Sequence, residues 1–137
     1  MRKHLPTILL GVYTLLLSWV ILLKMDFSIS LFHHLRTINW IPFYDVFTSE
    51  IGNPFVDPLL NVLVFIPFGF LLSKVSSLKP YWNILIALGL SLFYEVMQYI
   101  LAIGVSDVTD LITNTAGGAI GIALARLLVR IKRPKQI

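Results

Sequence analysis

The segment 81–103, YWNILIALGLSLFYEVMQYILAI, is long and apolar enough to cross a bilayer as a helix, yet it holds one charged side chain, Glu95, three residues before Gln98. A crossing needs about 20 residues. On the insertion scale, an acidic residue at the middle of such a helix costs roughly 2.5–3.5 kcal/mol, so intramembrane carboxyl groups face a protein interior or a wet cavity. The segment therefore predicts a bundle of membrane helices in which Glu95 faces other helices.

Three more apolar runs extend this reading, at 5–23, 57–75 and 109–130. The fold class expected is all-α: a polytopic membrane protein of four transmembrane helices forming a single domain over 1–137. Composition agrees, since 57% of residues are hydrophobic and only 13% charged, with a mean hydropathy of +0.84. Such a chain is too apolar for a water-soluble domain. The net charge of +4 does not indicate a nucleic-acid partner, because the basic residues sit at the ends of apolar runs and form no basic face. The chain has no cysteine, so it offers neither disulfide nor thiolate. No metal or cofactor is expected, and the partner that composition implies is the lipid bilayer.

The ends of the spans carry their own signals. Asp57 followed by Pro58 reads as an N-cap with proline at the first helical position. Pro67 removes a backbone hydrogen bond and predicts a kink. Pro80, Tyr81 and Trp82 open the third span at an interface. On a four-crossing path Arg2, Lys3, Lys74, Lys79, Arg126, Arg130, Lys132, Arg133 and Lys135 share one side, and only Lys24 and Arg36 lie on the other, with Asp26, Asp45, Glu50, Asp57, Asp107 and Asp110. The positive-inside rule makes the first side cytoplasmic, so both termini are expected inside. The basic start and apolar run of residues 1–23 also suit a signal peptide, but Lys24, Met25 and Asp26 make no cleavage site, which favours a retained anchor.

Between the first two spans lies an outer loop too long and too apolar for a plain connection. Leu31, Leu35 and Ile38 give one apolar face at helical spacing, which predicts an interfacial helix over 28–38. Trp40, Phe43 and Tyr44 are expected at headgroup level. The adjacent His33 and His34 point about 100 degrees apart on a helix and cannot share a metal as an i, i+4 pair can.

A polar cluster is expected near the outer surface. At about 1.5 Å rise per residue, Glu95 lies roughly 20 Å from Trp82, in the outer half of a core about 30 Å thick. Asn114, one turn below Asp110, and Asn61, one turn below Asp57, fall at similar depth. Ser91, Glu95, Gln98 and Ala102 share one face of the third span; Asp107, Asp110, Asn114, Gly117, Gly121 and Ala125 share one face of the fourth, where the small residues permit close approach. Turning these faces together would let Asn114 and Gln98 donate to Glu95, with Asn61 reaching from the second span. A plainer alternative stays open: Asp107 and Asp110 have the spacing of an N-cap and its N3 partner, and the asparagines suit interhelical hydrogen bonds.

Asn61 with Phe65, Pro67 and Gly69, then Glu95 with Gln98, then Asp107, Asp110, Asn114, Gly117 and Gly121 resemble the motif set of VanZ-like membrane proteins. The segment 39–43 resembles that family's outer-loop motif. The resemblance implies a bacterial cell-membrane protein from a family named for a member associated with low-level teicoplanin resistance. It also marks a departure: many members carry an arginine where this chain has Gly104. Three functions compete. The outward cluster could bind a lipid-linked envelope precursor, a cell-wall component or a glycopeptide-related ligand. It could be an enzyme site with Glu95 as general base and Asp107 or Asp110 orienting substrate, although no nucleophile is evident. Or Glu95 could couple proton movement to transport.

Overall fold

The structure is a computed structural model and describes residues 4–23, 37–48, 53–103 and 105–132. The elements run α1 (Leu5–Leu23), β1 (Thr37–Asn39), α2 (Tyr44–Thr48), α3 (Val56–Val75), α4 (Pro80–Leu101), β2 (Val105–Asp107) and α5 (Val108–Lys132). Four helices, α1, α3, α4 and α5, are long and apolar enough to cross a membrane. The expected interfacial helix lies mostly outside the described residues, as do His33, His34 and Gly104. Its last two positions, Thr37 and Ile38, are strand instead.

The fold is mostly helical, and one short strand pair, which was not expected, joins the helices. β1 and β2 pair in parallel, with Thr37 opposite Val105, Ile38 opposite Ser106 and Asn39 opposite Asp107. What makes this pairing possible is the end of α4. Ala102 takes the left-handed conformation, φ 53 and ψ 38; its N–H donates to the Tyr99 carbonyl and that of Ile103 to the Gln98 carbonyl. This is the Schellman arrangement that closes a helix, and it lets the chain run past α4 as a strand before α5 begins.

α3 also starts differently from expectation. Asp57 is not the cap: Phe55 holds that position with no side-chain cap hydrogen bond, and Asn53 before it accepts the Phe55 N–H on Oδ1 at 3.1 Å and the Val56 N–H on its carbonyl at 3.2 Å. Asp57 then sits in the first turn, where its charge suits the helix dipole. Pro67 lies inside α3, which continues to Val75.

α5 is packed against both α3 and α4. Toward α3, a Cβ added at Gly117 would collide with the Val62 carbonyl, one at Gly121 with the Ile66 carbonyl, and one at Gly69 with the Gly118 backbone. Toward α4, Gly118 faces the Ala87 side chain. Close approach substitutes for a thick apolar core, as small-residue seams do in lipid. The seam of Gly117 and Gly121 thus meets the second span and not the third, a correction to the expected pairing. The polar face of α4 drew the expected pairing, while α3 offers Asn61 alone among its buried polar residues, so periodicity gave no indication that the glycines would meet α3.

The apolar core is Phe65, Phe68, Leu72, Ala87 and Tyr94, with Leu17 and Ile21 from α1. α1 is the most exposed of the four, and polar links hold it: Tyr13 Oη donates to the Val64 carbonyl at 2.7 Å, and the hydroxyls of Ser18 and Tyr94 meet at 2.8 Å.

Candidate functional site

Glu95 is 7% exposed and is the point where α4, β2 and α5 are tied together. Its carboxylate Oε2 accepts the Asp107 N–H at 2.9 Å, and its main-chain carbonyl accepts the Ser106 hydroxyl at 2.7 Å. Asp107 caps α5 in turn, with Oδ1 accepting the Thr109 N–H at 2.6 Å. In a capping box, the residue at N3 would return to the N-cap N–H. Here that residue is Asp110, yet Glu95 from another helix takes the N-cap N–H. Asp110 is engaged elsewhere, accepting from Asn61 Nδ2 on Oδ1 at 2.6 Å.

The segment after α1 closes over this arrangement. Asn39 Nδ2 donates to Asp107 Oδ2 at 3.0 Å, extending the strand pairing through side chains. Asn39 Oδ1 accepts the Ile41 N–H at 3.1 Å, and the Phe43 N–H donates to Thr109 Oγ1 at 2.8 Å. Phe43 has a positive φ of 58, a conformation a bulky residue adopts only where its surroundings hold it.

Of the expected cluster, the structure brings together Asn61, Glu95, Asp107 and Asp110. It does not bring Asn114 or Gln98 to the Glu95 carboxylate. Asn114 Nδ2 donates to Ser91 Oγ at 3.0 Å, because Asn114 sits one turn deeper than Asp110 and meets α4 at the level of Ser91. Gln98 Nε2 instead reaches the Ile21 carbonyl at 3.4 Å, one of the last carbonyls of α1, which have no partner within their own helix. Pro67, Gly69, Gly117 and Gly121 belong to helix packing and not to the cluster.

Beside Glu95 lies a cleft of about 200 Å³, lined by Ile38, Trp40, Leu92, Glu95, Val96, Tyr99, Ser106, Asp107, Val108 and Leu111. Its walls are almost wholly apolar. Asn39, Ser106, Thr109 and the cleft wall from Trp40 and Tyr99 were not singled out as site residues from sequence. Asn39 lay in the recognised outer-loop motif, which was the available signal. Ser106 and Thr109 flank Asp107, and nothing in their spacing distinguishes them from ordinary polar loop residues.

The fold and the site define a class: a multi-pass membrane protein with, among the described residues, four helices long and apolar enough to cross a membrane and with acidic and amide side chains gathered at one end beneath a short strand pair. The VanZ/LLP1 family model matches residues 10–129, and the chain belongs to that family. It is 40% identical over 130 residues to Protein VanZ of Enterococcus faecium, covering 90% of this chain and 75% of that protein. No solved structure matches.

Proposed function

We propose that this protein works in a bacterial cell membrane, with both termini cytoplasmic, and contributes to teicoplanin tolerance by binding a lipid-linked or cell-wall component at the outward cleft beside Glu95. The observation that carries the reading is the cleft itself: a hydrocarbon-lined space of about 200 Å³ whose wall includes Glu95 and Asp107. Clefts with apolar walls and a few fixed polar groups are what small-molecule sites look like. Trp40 and Ile38 of the outer segment form part of the wall, so the segment tied down by Asn39 and Phe43 shapes the opening.

The chemistry of the wall narrows the ligand. The wall is almost wholly apolar, which favours an acyl or aromatic group of the ligand, while the carboxyl groups of Glu95 and Asp107 beside it oppose a bare phosphate. A general-base role for Glu95 has less support, because one oxygen already accepts the Asp107 N–H. Proton-coupled transport has less support for the same reason: Glu95 is built into the start of α5.

The test is growth inhibition by teicoplanin, with vancomycin alongside, in a sensitive Gram-positive host expressing wild type or Glu95→Gln at matched membrane levels. Protection by wild type and its loss in Glu95→Gln is the expected result. Equal susceptibility of cells with and without the wild-type protein would overturn the resistance role.

A further inference from the structure

At the opposite end of the bundle, the structure holds a second cleft, of about 280 Å³, between α3 and α5 and lined by Ser73, Ala125, Arg126, Val129 and Arg130. We propose that this cleft binds the phosphate of an anionic phospholipid headgroup.

The two arginines are one turn apart on α5 and share the cleft wall, while Ser73 supplies a hydroxyl from the facing helix. Arg126 is held in place: Nη2 donates to the Leu78 carbonyl at 2.9 Å, a residue of the α3–α4 turn. Its Nε is buried and has no hydrogen-bond partner. A guanidinium grips an oxyanion through parallel N–H groups, and here the fixed guanidinium leaves one of them unmatched.

Among the described residues no carboxyl group lies near enough to neutralise this charge. Asp57 heads α3 while Ser73 is near its end, which at about 1.5 Å per residue puts them roughly 24 Å apart. Asp107 and Asp110 precede Arg126 by a similar or greater distance along α5, and Glu95 sits among them at the far end. Lys74 follows Ser73 directly and adds positive charge. Among the described residues none supplies a compensating anion to this cleft.

The position selects a lipid over a free ion. Ala125 and Val129 make part of the cleft apolar, and Leu124, Leu127 and Leu128 beside them are exposed on the lipid-facing surface of α5. A phosphate anchored by acyl chains against these leucines gains both contacts at once. Basic clefts between membrane helices at the inner face suit anionic headgroups, and each Lys or Arg near the surface is worth about 1 kcal/mol.

The experiment is native mass spectrometry of the detergent-purified full chain, titrated with phosphatidylglycerol or phosphatidylcholine, with inorganic phosphate as competitor. Wild type is expected to retain one phosphatidylglycerol in preference to phosphatidylcholine, undisplaced by inorganic phosphate. Arg126→Gln and Arg130→Gln should each bind about fivefold more weakly. Lys79→Gln, which removes one charge at the same end outside the cleft, should bind like wild type. Arg130 makes no hydrogen bond to the described chain, so its variant reports on binding even if Arg126→Gln folds poorly. Equal weakening in Lys79→Gln, equal binding of the two lipids, or displacement by inorganic phosphate would overturn the proposal.

Discussion

Glu95 shows how a costly residue is kept in a membrane helix. An amide could glue helices, but Glu95 offers a carboxylate oxygen to the N–H at the start of α5, and hydrogen bonds to charged groups are worth about 1.5–3 kcal/mol. Glu95→Gln keeps an acceptor at that place and should cost at most about 1 kcal/mol. Glu95→Leu strands the Asp107 N–H and should cost about 1–3 kcal/mol. The midpoint of heat-induced loss of the monodisperse peak in detergent separates the two. Ala102 makes a second case, since its left-handed backbone costs an L-residue roughly 1–2 kcal/mol. Ala102→Val, with a branched Cβ at that φ, should lower the same midpoint, while Ala102→Gly should hold or raise it. The placement of Glu95, Asn61, Asp107 and Asp110 near one another was legible because depth follows from counting residues along each helix. Their bonding partners were not, because the amides Asn114 and Gln98 could satisfy several acceptors and took nearer ones.

Among the elements, the helices were legible and the strands were not. Each span could be placed to within two residues, since a long apolar run bounded by proline and charge admits one reading in a bilayer. β1 and β2 are three residues each and join parts of the chain far apart in sequence, so no periodicity announces them. The small-residue seam was legible as a seam, but its partner was not. Gly117 and Gly121 meet α3 and Gly118 meets Ala87 of α4, and adjacent glycines leave both faces equally plausible. The geometry makes a sharp contrast testable. Gly117→Ala and Gly121→Ala press a methyl group into a facing backbone carbonyl and should destabilise by about 1–3 kcal/mol or more, as overpacking does. Gly89→Ala meets nothing within 4 Å and should be neutral or gain up to about 1 kcal/mol from helix propensity. The detergent melting midpoint again reads the difference.

At the scale of the whole molecule, the charges of the described residues are sorted by end. Carboxyl groups and the strand pair lie at one end, and the arginines of α5 and the α3–α4 turn lie at the other. The proposed orientation places the acidic end outside, and the cysteine-free sequence makes that measurable with single introduced cysteines. A membrane-impermeant maleimide should label Phe47→Cys in intact cells, since Phe47 is 82% exposed on α2, and Ser77→Cys only after permeabilisation. The reverse pattern would invert the topology and move the cleft beside Glu95 to the cytoplasm.

The same labelling tests the central claim most directly. Trp40 lines the cleft and Phe47 does not, so the labelling rates of Trp40→Cys and Phe47→Cys are compared in proteoliposomes with and without an added lipid-linked cell-wall precursor. Binding at the cleft predicts that the precursor slows labelling at Trp40→Cys several-fold and leaves Phe47→Cys unchanged, with the protection lost when Glu95→Gln is added. Unchanged labelling at Trp40→Cys under saturating precursor, or equal slowing at both positions, would contradict it.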